Sequence, residues 1–240
     1  MYDLVIKNGT LVTAEVCSDS DIAVKDGKIA ALVARGTPLE AKECIDAGGA
    51  KVVPGLVDVH SHGGHGDPHR ESFKQMSEAC AAGGITTFID MPLSNPSTLT
   101  LEALNNKLET SGTESVTDYA LYGGLVAGYL DQMKPMFEKG AQAFKCFTCR
   151  CSNYPMTDDG TLVEGMKIVG ALGGIVSVHA ENDTLIQSLV DKFKAEGRND
   201  VQAFIDSHPV YSEFEAVQRV FYLASLFPDC KVHIAHMSVH

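Results

Sequence analysis

The sequence lacks any run rich in lysine and arginine, and its formal net charge is −12 at pH 7. A binding surface for nucleic acid or for an anionic membrane needs a basic patch, so neither partner is expected. No apolar run of about twenty residues is present, so no membrane-spanning segment is predicted. The N-terminus, "MYDLVIKNGTLVT", also lacks the apolar core of a signal peptide. We therefore expect a cytoplasmic protein whose seven cysteines are reduced thiols.

Nucleotide-binding fingerprints and paired zinc-ribbon motifs are missing as well. No GxGxxG sequence and no P-loop follows a predicted strand, which removes the main support for a Rossmann fold. The segment "CFTCRC" places Cys146, Cys149 and Cys151 close together, but no second CxxC pair exists to complete a four-ligand zinc site. We interpret these three cysteines as packing thiols.

The sequence contains two regions with different patterns of predicted secondary structure, and the boundary between them falls after residue 53. Residues 1–53 form short alternating segments joined by the turn dipeptides Asn8-Gly9 and Asp26-Gly27, which predicts hairpins in a small antiparallel β unit. Residues 54–240 alternate short apolar strands with helical stretches, the pattern of βα units around a parallel sheet. We predict an α/β protein with two domains, 1–53 and 54–240.

Six strands are predicted in the second domain. They are "GLVDVH", "ITTFIDMP", "YALYGGLV", "QAFKCF", "IVSVHAE" and "KVHIAHMS". Helix candidates between them include Glu71 to Ala82, closed by two glycines, and Glu213 to Leu226, whose apolar residues recur at three- and four-residue spacing. A barrel of βα units is therefore the favoured architecture.

Candidate ligands for a metal ion fall at the ends of these strands: His60, His62, Lys145, His179 and His236. In a (β/α)8 barrel the carboxyl ends of all strands meet on one face, so these residues are expected to converge. Side chains two apart on a strand point to the same side, so the "HSH" pair can present two imidazole nitrogens to one ion. A single histidine is more often a structural residue, and we interpret His233 in this way. The four strand-end histidines together favour a metal site.

Lys145 sits inside the apolar run "GAQAFKCFTC" and allows two interpretations. A buried lysine tends to lose its proton, and the neutral amine can take up CO₂ to become a carbamate, an anionic ligand with two oxygens. Alternatively, its stem is buried while its ammonium group reaches solvent at the strand end. Residue chemistry alone favours the second interpretation.

The sequence resembles the cyclic amidohydrolases of the amidohydrolase superfamily, and among them the allantoinases. The segments that carry the resemblance are "PGLVDVHSH", "GGITTFIDMPLSNPST", "YGGLV", "AFKCF", "VHAEN", "SHPVYSEFEAVQRVFYLA" and "VHIAHMS", in the family's order over essentially the whole chain. The resemblance implies a (β/α)8 TIM-like barrel, here truncated after about six strands, with the N-terminal part of a small β-sandwich domain. It also implies two divalent metal ions, usually Zn²⁺. His60 and His62 would hold one ion, His179 and His236 the other, and carbamylated Lys145 would bridge them.

The implied activity is hydrolysis of the cyclic amide bond of allantoin to allantoate, a step of purine degradation, by a hydroxide held between the metals. Relatives are commonly homotetramers. The family's catalytic aspartate would lie beyond residue 240, so we expect a truncated chain whose own activity is open. The alternatives are a dihydropyrimidinase- or hydantoinase-type enzyme and a catalytically inactive homologue.

Substrate choice rests on local differences from the family pattern. Dihydroorotases resemble HxHxR, with an arginine that grips the substrate carboxylate, whereas this chain has Gly64 at that position. The segments "DMPLSNPST" and "FKCF" favour allantoinase over hydantoinases and dihydropyrimidinases. The loop "GGHGDPHRESF" and His208, where the family mostly has arginine, depart from the allantoinase pattern.

Four further residues have a functional and a structural interpretation. Ser94 and Asn95, just beyond the second strand, are candidates for substrate contact, or they form a turn before Pro96. Glu181 and Asn182 either support His179 or begin the next helix.

Overall fold

A computed structural model describes residues 1–151 and 154–239. The chain divides into two compact units, Met1–Leu56 and Val57–His240. Within the described residues, no helix has the length and apolar character needed to cross a membrane.

The first unit is built on one mixed sheet of six strands. Its strands are β1 (Tyr2–Lys7), β2 (Thr10–Val12), β3 (Cys17–Lys25), β4 (Lys28–Ala34), β5 (Ala41–Asp46) and β6 (Lys51–Val52). The order is β5-β1-β3-β2-β6, and β4 also pairs with β3. The expectation of an antiparallel unit is wrong in part, because β1 pairs with β5, and β2 with β6, in parallel.

The two predicted hairpin turns have different outcomes. Asp26 and Gly27 both have positive φ angles, 52° and 72°, and join the antiparallel strands β3 and β4, which confirms that hairpin. The hairpin at Asn8-Gly9 is wrong, since β1 and β2 both pair antiparallel with β3. Asn8 has a φ of 60°, and its backbone N–H donates to the buried Asp21 carboxylate at 3.0 Å. The dipeptide therefore forms a break between two strands that pair with successive parts of β3.

The second unit alternates strands and helices, which confirms the predicted α/β class. Its strands are β7 (Leu56–Ser61), β8 (Ile85–Asp90), β9 (Asp118–Leu121), β10 (Gly123–Gly124), β11 (Ala143–Phe147), β12 (Ile175–His179) and β13 (Lys231–Ile234). Its helices are α1 (Phe73–Ala82), α2 (Leu101–Glu114), α3 (Leu130–Lys139), α4 (Asp159–Leu172), α5 (Asp183–Ala195), α6 (Val201–Ser207) and α7 (Val210–Ser225). Both predicted helices are present as α1 and α7, and the third predicted strand is divided at Tyr122 into β9 and β10.

Helix α1 shows how local sequence sets an element boundary. The Ser72 side chain accepts a hydrogen bond from the Gln75 N–H, and the Gln75 side chain accepts one from the Ser72 N–H. This reciprocal capping box satisfies two N–H groups that would otherwise have no partner at the helix start. The helix consequently begins at Phe73 and leaves residues 63–71 as the loop that follows the "HSH" segment.

Strand β11 separates the apolar core from the candidate site. Successive side chains of a strand point to opposite faces. Phe144 and Cys146 are fully buried and belong to the main hydrophobic cluster, together with residues of α4 and β12 such as Met166 and Val178. Lys145 therefore lies on the opposite face, between β10 and β12, with which β11 pairs in parallel.

The strands of this unit run β7-β8-β9 and then β10-β11-β12-β13, with a backbone hydrogen bond from Tyr122 N–H to the Asp90 carbonyl at their junction. The sheet is curled, because the His60 ring on β7 and the His236 ring just after β13 have centroids only 5.0 Å apart. The curl brings the two outermost strands of the unit to one place.

Candidate metal centre

The structure gathers the four strand-end histidines into one cluster. The ring centroids of His60 and His62 are 5.1 Å apart, those of His60 and His236 5.0 Å, and those of His179 and His236 4.8 Å. His60 and His179 are half-buried, whereas His62 and His236 are exposed. By contrast, His233 is exposed on β13 and opposes Ser177 of β12 in the sheet register.

His179 and His236 are spaced as two ligands of one ion. The His179 Nδ1 atom is 3.3 Å from the His236 Nε2 atom. Two nitrogens bound to one tetrahedral Zn²⁺ at about 2.0–2.1 Å would be roughly 3.3–3.4 Å apart. The geometry of this pair therefore fits a shared ion without rearrangement of either ring.

Glu181 fixes the orientation of the His179 ring. The His179 Nε2 atom lies 2.7 Å from the Glu181 Oε2 atom, so the carboxylate accepts the ring proton there. A proton on Nε2 leaves the Nδ1 lone pair free on the side of His236. The Thr148 hydroxyl accepts from the Glu181 N–H at 3.0 Å and holds the backbone in place. Of the two interpretations of Glu181 and Asn182, Glu181 contacts His179, whereas Asn182 caps helix α5.

Lys145 is buried over its whole length, and its side chain is 0% exposed. Within the part of the chain that the structure describes, its Nζ atom has no hydrogen-bond partner. It lies 5.0 Å from the centre of the Phe147 ring. Burial lowers the pKa of the Lys145 amine to about 8, so a substantial neutral fraction exists near neutral pH. A buried amine with a lowered pKa and no partner among the described residues fits the carbamate that the resemblance implies.

For His60, His62 and His236 the pKa is lowered, which favours the neutral form that binds metal. Burial lowers the pKa of His60 to about 4, and the Lys145 ammonium adds to the effect. Burial also lowers the pKa of His62, followed by the charge of Arg70. The pKa of His236 is lowered first by burial and then by Lys145. The geometry links Lys145 to the cluster through Phe147, whose ring centre is 5.0 Å from the Lys145 Nζ atom and 5.1 Å from the centre of the His179 ring.

The low pKa of His60 predicts a pH dependence for the stability of the metal-free chain. As pH falls from about 6.5 to 4, the unfolded state takes up a proton that the folded state still excludes. The free energy of unfolding should fall across this window, by about 1–2 kcal/mol after allowance for solvent at a half-buried site. Urea unfolding with a chelator at pH 7.5 and pH 5 measures it. An unchanged slope in the His60→Gln variant would contradict the assignment to His60.

Ser94 and Asn95 line a separate cavity of ≈ 440 Å³ together with Asp67, Arg70, Leu93 and Ser97. The Ser94 hydroxyl lies 3.3 Å from the Thr98 hydroxyl, and the Asn95 N–H donates to the His65 carbonyl at 3.0 Å. His65 belongs to the loop after the "HSH" segment. Ser94 and Asn95 therefore lie beside the loop that follows the "HSH" segment, and Asn95 is hydrogen-bonded to it.

Gly64 occupies a position with no room for a side chain. Its N–H donates to the Glu71 carbonyl at 2.7 Å. A Cβ atom at position 64 would lie 2.6 Å from the Glu71 carbonyl oxygen and 2.8 Å from that of Arg70. The loop is therefore built without the arginine of the HxHxR pattern.

A buried ion pair behind the first two histidines was missed by the sequence analysis. The Lys107 ammonium and the Asp90 carboxylate are 0% and 1% exposed and form a direct ion pair. Lys107 also donates to the Met91 carbonyl at 2.7 Å, and Asp90 accepts from the Gly63 N–H, next to His62. Nothing in the segment "LNNKLE" distinguishes Lys107 from a solvent-exposed lysine of an amphipathic helix.

The role of Cys149 was also missed. Cys146 lies in the main hydrophobic cluster, as expected of a packing thiol. Cys149 instead places its Sγ atom 3.7 Å from the Glu181 Oε2 atom. Burial raises the pKa of the Cys149 thiol to about 12, and the Glu181 carboxylate acts in the same direction.

His208, which departs from the allantoinase pattern, contacts the helix that precedes it. Its Nδ1 atom lies 2.9 Å from the Phe204 carbonyl oxygen of α6.

The chain belongs to the dihydro-orotase-like family, whose sequence model matches residues 49–238. Among curated relatives, an L-hydantoinase of Paenarthrobacter aurescens is 40% identical over 242 residues, which cover 99% of this chain and 53% of the relative. An allantoinase of Bacillus velezensis is 39% identical over 243 residues, with the same shares. The chain spans about half the length of these relatives. The resemblance to the cyclic amidohydrolases is thereby confirmed.

Solved structures give the same result. The L-hydantoinase (dihydropyrimidinase) from Arthrobacter aurescens matches with a TM-score of 0.92 at 39% identity, over 99% of this chain and 53% of that one. A D-hydantoinase matches with a TM-score of 0.85 at 32% identity, over 97% and 51%. The α/β fold with its curled sheet is thus the fold of part of a hydantoinase.

Proposed function

We propose that the protein is a metal-dependent cyclic amidohydrolase that opens the ring of allantoin to give allantoate, in the degradation of purines. The observation that carries the proposal is the buried Lys145 amine, which has no hydrogen-bond partner among the described residues, together with the cluster of four histidines. The similarity to allantoinases and an L-hydantoinase supports the reaction class. The closed position of Gly64 disfavours a substrate held by the arginine of HxHxR.

The proposed ligand set is the one that the family resemblance implies, and the clustering of the four histidines supports it. His60 and His62 would hold one divalent ion, His179 and His236 the other, and Lys145, as its carbamate, would bridge them. When bound, the two ions, which we propose to be Zn²⁺, would polarise the ring carbonyl and lower the pKa of water. Glu181 would keep the His179 proton on Nε2, so that Nδ1 remains a ligand.

The remaining residues would shape the substrate site. Ser94 and Asn95 are proposed to contact the substrate ring from the cavity beside the loop after "HSH". A lysine carbamate breaks down in bulk water. Burial of Lys145 and Phe147 would keep water away from it. Residues 1–53 are proposed to be the N-terminal part of a small β-sandwich domain, and residues 54–240 part of a (β/α)8 barrel. A cytoplasmic homotetramer is proposed as the working assembly.

Two alternatives are to be distinguished from this function. The L-hydantoinase is as similar to this chain as the allantoinase, so a hydantoin or dihydropyrimidine ring is the rival substrate. A catalytically inactive homologue is the rival class, and the metal content of the protein distinguishes it from an enzyme.

The test uses the protein purified with zinc and bicarbonate. We expect about two zinc ions per chain and ring opening of allantoin faster than of hydantoin, dihydrouracil or dihydroorotate. The variant His236→Asn should lose at least one zinc ion and about a hundredfold or more in kcat/KM, because a ligand is removed. The variant His233→Asn, three residues earlier and on β13 itself, is the matched control and should retain both properties.

The outcomes separate the alternatives. A folded protein without bound metal would reject the metal-dependent reaction and support the inactive homologue. Two zinc ions with a higher kcat/KM for hydantoin or dihydrouracil would keep the reaction class and replace the substrate. Equal losses in His236→Asn and His233→Asn would refute the ligand role of His236.

A further inference from the structure

A second group of ligand atoms meets on the opposite side of the His179 ring. The Cys149 Sγ, Glu181 carboxylate oxygen and His179 ring nitrogen all lie within 4.8 Å of one another. The Sγ–Oε2 distance is 3.7 Å, close to the roughly 3.6 Å expected for sulfur and oxygen on one tetrahedral zinc-sized ion. The His179 Nε2–Glu181 distance of 2.7 Å would have to open by about 0.6 Å. These three groups offer one sulfur, one nitrogen and one oxygen donor.

An ion can reach this group without crossing the histidine cluster. Cys149, Glu181 and His179 line a cavity of ≈ 370 Å³ that extends towards α5 and α6, with Ile186 and Phe204 among its walls. His236 is not part of that cavity and instead faces the His179 Nδ1 atom. His179 and Glu181 also line a smaller cavity of ≈ 130 Å³, which includes His236, so the His179 ring borders two cavities.

The donor set selects the kind of ion. A thiolate favours soft or borderline cations such as Cd²⁺ and Zn²⁺ over Mg²⁺ and Ca²⁺. Binding would replace the Cys149 S–H bond by a sulfur–metal bond and release the thiol proton to solvent. The carboxylate of Glu181 would offset part of the ion's charge.

Occupation of this group changes the tautomer of His179. A neutral imidazole has one lone pair and one proton. An ion at Nε2 requires the proton to move to Nδ1, where it would be donated to His236 Nε2, 3.3 Å away. The Nδ1 lone pair, and with it the pairing of His179 and His236 as ligands of one ion, would be lost.

We propose that Cys149, Glu181 and the Nε2 atom of His179 form a second binding site, for a thiophilic divalent cation, that is mutually exclusive with metal binding at His179 Nδ1. The mutual exclusion of the two metals rests on the proposed function, whereas the existence of the second site does not. An excess of such a cation would then inhibit by removing a ligand from the metal centre rather than by occupying the substrate pocket.

The experiment titrates the 240-residue chain with Cd²⁺ and follows the ultraviolet thiolate-to-cadmium absorption. The exposed thiols Cys17 and Cys44 are first replaced by serine to remove their signal. In this background we expect one cadmium–thiolate site, and Cys149→Ser should weaken it by about tenfold or more. The matched control is Cys151→Ser, a neighbouring thiol, which should leave the titration unchanged. The proposal is overturned if the absorption survives Cys149→Ser or disappears in Cys151→Ser.

A second measurement tests the exclusion separately. Loading the chain with zinc in bicarbonate buffer beforehand should weaken cadmium binding at Cys149 by about tenfold or more. In His236→Ala the protection by zinc should be lost while the cadmium–thiolate absorption remains. If the wild-type chain binds no zinc at the histidine cluster, the proposed function fails but the Cys149 titration still decides the second site. Simultaneous full occupancy of both sites would overturn the exclusion.

Discussion

Replacing Lys107 by methionine is expected to lower the free energy of unfolding by about 3–5 kcal/mol, among the largest single effects in the chain. The substitution keeps the length of the side chain but leaves the Asp90 carboxylate, which is 1% exposed, without its counter-charge. It also removes the donor to the Met91 carbonyl. Because Asp90 accepts from the Gly63 N–H, the damage should extend to the loop beside His62. Urea unfolding of the chain measures the loss.

The double variant Asp90→Asn/Lys107→Met separates charge from packing. Asparagine retains an acceptor for Gly63 while both buried charges are gone, so most of the stability should return. The matched surface control is Lys134→Met, since Lys134 is 70% exposed and its contact to Glu138 is 4.0 Å long. This control should change stability by less than about 0.5 kcal/mol. A Lys107→Met loss as small as that of the control would show that the ion pair contributes little.

The second large effect concerns Lys145→Met, for which stability and metal binding should change in opposite directions. In the metal-free chain the variant removes a buried amine that lacks a partner among the described residues, so the free energy of unfolding should rise by about 1–3 kcal/mol. With zinc and bicarbonate present, the variant cannot form the carbamate. It should lose the bridged pair of ions and about a hundredfold or more in kcat/KM.

Bicarbonate supplies the control for Lys145. Removal of CO₂ from the buffer should lower the zinc content of the wild-type protein and leave that of Lys145→Met unchanged. Mass spectrometry under native conditions should find the mass of one carbamate on the wild type only. Unchanged zinc content in Lys145→Met would eliminate the bridge.

Much of the α/β architecture could be predicted because the spacing of apolar residues within each short segment indicates its secondary structure. The six apolar strands and helices α1 and α7 follow from alternation and from three- and four-residue spacing. The turn at Asn8-Gly9 could not be predicted, since a left-handed asparagine suits a hairpin and a strand break equally well. What decides between them is Asp21, which lies 13 residues away and accepts from the Asn8 N–H.

The residues of the candidate site also differ in how far the local sequence reveals them. His60 and His62 carry a local signal because their spacing places them on one side of a strand. The pairing of Lys107 with Asp90, and of Cys149 with Glu181, joins residues on different elements, and only the folded arrangement reveals it. The burial of the Lys145 amine likewise depends on the folded sheet, in which β11 lies between β10 and β12. Residue chemistry alone therefore favoured a solvated ammonium, which the structure does not show.

The curl of the sheet has a kinetic consequence. His60 and His236 are separated by about 175 residues of chain, and contacts of such range form late because the closure of a long loop costs entropy. Until β13 has added to β12, the chain holds its histidines too far apart to act together. The proposed binding of metal should consequently require β13 to have paired with β12, and a partly unfolded chain should compete poorly for ions in the cell.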